Sequence, residues 1–159
     1  MSAIEISQHC RAEHCLPKLQ GESKEDVISE IIDTFVASGA LSEDAAAELF
    51  GAVLAREEAG TTGIGKGVAM PHARASDVVE DTLIGVGLHL DGVDFDATDG
   101  APVHMIFLIA SSDPDEYLRV AGRIARVARD DVEMKALQRQ TTAKAVHKFL
   151  EESWSSLNA

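Results

Sequence analysis

Thr62-Gly63-Ile64-Gly65-Lys66-Gly67-Val68-Ala69-Met70-Pro71-His72-Ala73 is a glycine-rich turn running into a short apolar strand, which a proline stops directly before a histidine. The glycines reach backbone angles closed to other residues and let a ligand or partner backbone approach closely. Pro71 has a fixed φ and no N–H, so it ends hydrogen-bond pairing and holds the next residue rigidly. Packing alone asks for no imidazole here. The stretch reads as a device that presents His72 at a strand end. Neutral imidazole near pH 7 is a good nucleophile, and one ring nitrogen can react while the other is held. No nucleophilic Ser or Cys motif lies nearby, so no acyl-transfer triad is assigned.

Upstream, the pattern is helical. Ser23 followed by Asp26 resembles a capping box, and Val27, Ile28, Ile31, Ile32, Phe35 and Val36 form an apolar stripe that Gly39 closes. Ser42, with Glu43 and Asp44 behind it, starts a second helix with Ala46, Leu49, Phe50, Val53 and Leu54 on its apolar face. That helix ends near Gly60 and leaves Arg56 in its last turn, where a cation suits the helix dipole. Downstream, the period changes to two. Ile84, Val86, Leu88 and Leu90 alternate with Leu83, Gly85, Gly87 and His89. Val103 to Ala110 is apolar on both faces, as in a strand covered on both sides. Asp113-Pro114 then starts a helix, with further helical patterns at Asp131 to Leu137 and Thr142 to Leu150. The expected fold class is α/β, a single-domain mixed β-sheet flanked by α-helices.

Composition agrees with one domain. The chain has 159 residues, 45% hydrophobic and 26% charged, which is globular composition. Its 14 basic against 27 acidic residues give a net charge of −13. A phosphate backbone repels such a surface, so nucleic-acid binding is not expected, whereas a basic protein partner is steered toward it. The longest strongly apolar run, Met105 to Ala110, is far short of the ~20 residues a membrane span needs. Glu5, His9 and Cys10 interrupt any signal-peptide core, and two cysteines make no disulfide framework, so a cytoplasmic protein with reduced thiols is expected.

Two other chemistries compete for notice. Gly60-Thr61-Thr62-Gly63-Ile64-Gly65-Lys66-Gly67 matches most of a P-loop, but Gly67 stands where Mg²⁺ requires Ser or Thr. A charged helix end precedes the loop and a strand follows it, the reverse of P-loop context. His9-Cys10 and His14-Cys15 form an HC-x3-HC pattern that fits zinc spacing only loosely. It is read as a surface segment with incidental His and Cys, and no metal or other cofactor is expected. His104, in the buried strand, is read as a satisfied core histidine; His89 is ambiguous.

Arg56-Glu57, Gly60-Thr61-Thr62-Gly63-Ile64-Gly65 and Gly67-Val68-Ala69-Met70-Pro71-His72-Ala73 together closely resemble the signature of phosphotransferase-system EIIA domains of the fructose/mannitol type, which includes the nitrogen-regulatory EIIA proteins. The Cys15-Leu16 opening, the Asp99-x-x-Pro102-Val103 turn and the final helices follow the family's order. The resemblance covers residues 5–152, with 1–4 and 153–159 as terminal extensions.

That resemblance implies that His72 accepts a phosphoryl group from an HPr-type phosphocarrier and passes it to an EIIB domain, or holds it as a signal to a regulatory target. It makes Arg56 the active-site arginine. Such transfer is mostly positioning and charge stabilisation, which a nucleophilic nitrogen, a guanidinium and backbone donors supply without a metal. Thr61 or Thr62 is expected to donate a hydroxyl hydrogen bond to phosphate, with the amides of the Gly63–Gly67 stretch, Gly63, Gly65 and Gly67 among them, adding more. One departure stands out: aligning on Leu118 and Ile124-Ala125 puts Tyr117 where family members usually carry a second histidine. A phenol hydrogen-bonds but carries no positive charge. No HPr, EIIB or transporter segment is appended, which favours a stand-alone, nitrogen-type regulatory role over a sugar-specific one. The alternative from another class is an EIIA-fold binding module with little or no onward transfer.

Overall fold

The side chains of Val103–Ser111 alternate between two faces that are both largely apolar, so this strand needs cover on both sides, and the rest of the fold supplies it. The computed structural model describes residues 9–74 and 78–156. Strand β1 is Cys15–Leu16, and helices α1 (Lys24–Ala37) and α2 (Glu43–Ala59) follow. Three short strands come next, β2 (Gly63–Gly65), β3 (Val68–Ala69) and β4 (His72–Arg74). The long strands β5 (Leu83–Val93) and β6 (Val103–Ser111) precede helices α3 (Pro114–Ala128), α4 (Asp131–Gln138) and α5 (Ala143–Ser156).

The six-stranded sheet is mixed, in the order β1-β5-β6-β3-β2, with β4 also paired to β6. Strand β6 is its axis. It runs antiparallel to β5 and parallel to β3 and β4, with Val68 opposite Met105 and His72 opposite Ile109. Ile106, Leu108 and Ala110 on one face of β6 pack with Val27, Ile28, Ile31, Phe35, Leu49 and Val53 of α1 and α2. Met105, Phe107 and Ile109 on the other face pack with Val120, Ile124, Leu137 and Val146 of α3, α4 and α5. The two-faced apolar strand is thus explained by helices on both sides.

In β5 the same alternation puts Ile84, Val86 and Leu88 on the α3–α5 side. The glycines on its other face admit α1 and its approach: a Cβ on Gly85 would collide with Ile31 and Phe35, and one on Gly87 would lie 2.6 Å from Leu19 Cδ1.

The expected caps are in place. Ser23 Oγ accepts from the Asp26 N–H at 3.1 Å and Ser42 Oγ from the Ala45 N–H at 3.1 Å. Gly39 follows α1 with φ of +80°, a left-handed helix stop. Three expectations are corrected. Helix α5 continues to Ser156, past the Leu150 at which its apolar pattern ends. Residues 153–156 are therefore helical, while residues 1–4, Glu5 and 157–159 lie outside the described residues. Pro71 does not end the pairing before His72 but interrupts the ladder at one position only, and His72 opens β4. The Pro71 carbonyl still accepts from the Ile109 N–H at 3.0 Å, and pairing with β6 resumes. The HC-x3-HC segment is not at the surface: Cys10, His14 and Cys15 are all buried.

Candidate functional site

His72 Nδ1 lies 3.0 Å from the carbonyl oxygen of Met70, two residues back across Pro71. A carbonyl only accepts, so Nδ1 carries the proton and the lone pair of the neutral ring sits on Nε2. Burial lowers the pKa of this imidazole, and the nearby Arg56 charge lowers it further, against opposing contributions from the Met70 hydrogen bond and Glu57. The result is a half-buried imidazole kept neutral near pH 7 with one nitrogen held and one free to react.

Two helices from opposite layers bring in its neighbours. Asp113 caps α3, its Oδ1 accepting from the Asp115 N–H at 2.9 Å, with Pro114 in the first turn. That fixed start sets Tyr117 one turn in, where its ring stacks on His72 with centroids 4.6 Å apart and planes 30° from parallel. Burial raises the phenol pKa, so the hydroxyl stays neutral at any working pH. From the other layer, Arg56 sits in the last turn of α2 and donates from Nη1 to the Gly60 carbonyl at 2.8 Å. Its charge acts on both the imidazole and the phenol. His72, Arg56 and Tyr117, far apart in sequence, therefore gather at one place.

The glycine-rich segment does not gather there as a whole. The Gly67 carbonyl accepts from the N–H groups of His104 and Met105, whereas His72 pairs with Ile109. Four to five residues of extended strand separate those positions, roughly 13–16 Å. Gly65 and Gly67, with φ of +94° and +78°, make the left-handed hairpin turn between β2 and β3. That turn is held by Asp99, whose carboxylate accepts from the Lys66 N–H at 2.9 Å and the Ala101 N–H at 3.0 Å. These bonds hold the Asp99 pKa below its ordinary value. Lys66 itself pairs with Asp131 at 3.5 Å, in a hairpin rather than at the start of a helix. The loop is not a P-loop.

Thr61 and Thr62 also differ from expectation. The Thr61 hydroxyl donates to the Phe95 carbonyl and accepts from the Gly63 N–H at 3.0 Å. Thr62 gives both its donors to Glu57, the N–H at 3.1 Å and the hydroxyl at 2.5 Å. Neither hydroxyl proton is left for a phosphate. The loop instead folds onto its own supports.

Glu57 is the residue that sequence reading passed over. It continues the buried 46-49-53 face of α2, so the residue is only 5% exposed. Lys24 Nζ reaches it at 3.2 Å. A charge on an apolar helix stripe was the available signal, since such a group needs partners built around it.

The other histidines are engaged elsewhere. His89 Nε2 donates to the Gly21 carbonyl at 2.7 Å and its Nδ1 accepts from the Gly92 N–H at 2.9 Å. His104 Nδ1 donates to the His89 carbonyl at 3.0 Å. His14 Nε2 meets Ser38 Oγ at 2.7 Å, and the ring stands edge-on to Phe35. Cys10 and Cys15 have their sulfurs 3.7 Å apart within the apolar core. Among the described residues, no group of three or more His, Cys, Asp or Glu side chains is arranged to hold a metal ion. No helix among them is long and apolar enough to cross a membrane.

Residues 8–153 match the family described as "Phosphoenolpyruvate-dependent sugar phosphotransferase system, EIIA 2". The chain is 35% identical over 151 residues to a nitrogen regulatory protein of Pseudomonas aeruginosa, covering 92% of this chain and 95% of that one. It is also 31% identical over 126 residues to the fructose-specific EIIABC component of Bacillus subtilis, covering 77% of this chain but only 19% of that much longer protein. Among solved structures, nitrogen regulatory protein IIA-Ntr from Neisseria meningitidis superposes with a TM-score of 0.81 at 28% identity, covering 91% of this chain and 98% of that one. The mannitol IIA of Escherichia coli shares the fold, with a TM-score of 0.75 at 23% identity over 88% of this chain and 97% of that one.

Proposed function

The chain belongs to the EIIA type-2 family of the phosphoenolpyruvate-dependent sugar phosphotransferase system, and on that premise we propose that it carries a phosphoryl group on His72 Nε2 in a regulatory, nitrogen-type role. The observation that carries the reading is the Met70 carbonyl on His72 Nδ1, which leaves Nε2 as the nucleophile. The Nε2 lone pair attacks phosphorus on a phosphohistidine donor of the HPr type. The donor's P–N bond breaks and its electron pair returns to the donor nitrogen. The His72 ring, now bonded through Nε2, keeps its Nδ1 proton, and the Met70 carbonyl stabilises the positive charge it gains.

Arg56 supplies the permanent cation beside this centre, and a guanidinium meets two phosphoryl oxygens at once. The threonine hydroxyls and the Gly65–Gly67 turn serve the fold instead. Tyr117 orders the imidazole by stacking but adds no charge. That favours a second reading in which phosphate is accepted and held as a signal, with little onward transfer to an EIIB domain. A nitrogen regulatory relative of full length supports the regulatory role.

Incubation with a phosphorylated HPr-type donor, followed by intact mass, tests the reading. One acid-labile phosphoryl group is expected on the wild type and none on His72→Gln with its fold retained. Undiminished phosphorylation of that variant would move the site elsewhere.

A further inference from the structure

A continuous set of hydrogen bonds leads from a buried ion pair to the reacting imidazole. Lys24, at the first position of α1, meets Glu57 in the last turn of α2, and both side chains are largely withdrawn from water. The Glu57 carboxylate takes both the N–H and the hydroxyl proton of Thr62. The Thr62 carbonyl in turn accepts from the Met70 N–H at 3.0 Å, and the Met70 carbonyl accepts from His72 Nδ1–H. From the geometry of these bonds we infer that Glu57 is a positioning residue, which acts through Thr62 and the Met70 backbone to hold the His72 ring in its Nδ1–H tautomer.

Pro71 gives no N–H, so the Met70–Pro71 peptide, which carries the acceptor for His72, has no donor with which to pair in the ladder. Met70 is anchored on its N-terminal side, where the Thr62 carbonyl accepts its N–H, and its own carbonyl, in the next peptide, follows that anchor through the Met70 backbone. Thr62 lies in a connection between α2 and β2 and has no regular secondary structure to hold it. A carboxylate with two acceptor oxygens can take both Thr62 donors at once; a neutral amide at the same place takes one and offers an N–H in place of the other. Lys24 balances the buried charge and is itself placed by the start of α1, 5.4 Å above the Phe95 ring. The same Phe95 carbonyl binds Thr61. The ion pair thus ties both helices of one layer to the loop that sets the acceptor for His72.

This rests on His72 being the phosphoacceptor, and the test separates the two claims. The ¹⁵N shifts of the His72 ring report the tautomer with no donor present, while single-turnover phosphorylation by the HPr-type donor reports the reaction. Glu57→Gln is expected to raise the share of Nε2–H tautomer and to slow phosphorylation by about tenfold to a hundredfold, the scale on which small misplacements act. Thr62→Val, which keeps shape and removes only the hydroxyl link, is expected to do both to a smaller degree, and it serves where the Gln variant does not fold. Thr62→Ser should restore wild-type behaviour. A folded variant of either kind with the wild-type tautomer ratio would overturn the inference, even if slowed. A changed tautomer in a protein whose wild type takes no phosphoryl group would support the inference and sink the reading of function instead.

Discussion

The two ends of the glycine-rich segment differ in purpose. At one end Thr61 and Thr62 are bound to Phe95 and Glu57, and the chain connects through Met70 to His72. At the other, Gly65 and Gly67 turn a hairpin that Asp99 clamps, beside the first residues of β6. Glycine density marks the second end for its backbone angles, not for a ligand. The reactive end is built from hydrogen bonds that a motif does not display.

Arg56→Ala gives the largest expected break in that contrast. Removing the Arg56 cation beside His72 should slow phosphorylation by about a hundredfold or more, on the scale of losing a main electrostatic contact. Arg56→Lys should recover only part of the rate, since an ammonium lacks the fork. Equal single-turnover rates for wild type and Arg56→Ala would remove Arg56 from the site.

Next in size is Tyr117→His, which places a group able to become cationic against the His72 ring. Onward transfer to an EIIB domain should rise by about tenfold, worth roughly 1.4 kcal/mol of barrier, while acceptance from the donor changes little. If both rates move together, the stacked ring governs His72 in general rather than departure of the phosphoryl group.

At the far end, Gly67→Ala should act on stability alone. Its added Cβ meets His104 Cδ2 only at an ordinary 3.6 Å, so the cost is that of the left-handed backbone at φ +78°. A loss of about 1 kcal/mol by chemical denaturation is expected, with the phosphorylation rate unchanged. A rate loss as large as that of Arg56→Ala would mean that the turn belongs to the site after all.

The smallest effect is on pH. The folded His72 pKa lies below its ordinary value of 6.5, chiefly from burial. The nucleophile therefore stays neutral as pH falls through 6.5 and is lost only lower down. In the window between the two values the unfolded chain binds more protons at this residue than the folded one. Stability contributed by the neutral ring is then complete above 6.5 and declines as pH falls toward the folded value. His14, also lowered by burial, adds in the same direction. A pH–rate midpoint at or above 6.5 would contradict this.

Much was legible in the sequence because it depends on local rules. The caps at Ser23, Ser42 and Asp113, the helical stripes and the period-two pattern of 83–90 each follow from neighbours within a few residues. His72 stood out because a proline and a flexible turn precede it, and Arg56 and Tyr117 were reached by family resemblance. Tertiary structure alone decided the rest. That Tyr117 stacks on His72, that Arg56 influences both, and that Glu57 faces Thr62 and Lys24 depend on two helical layers closing on one sheet. So do the burial of Cys10 and His14 and the placing of the Gly65–Gly67 turn away from the site. A one-dimensional pattern records which side chains avoid water, but a hydrogen bond between distant residues depends on separations that only the packed chain defines.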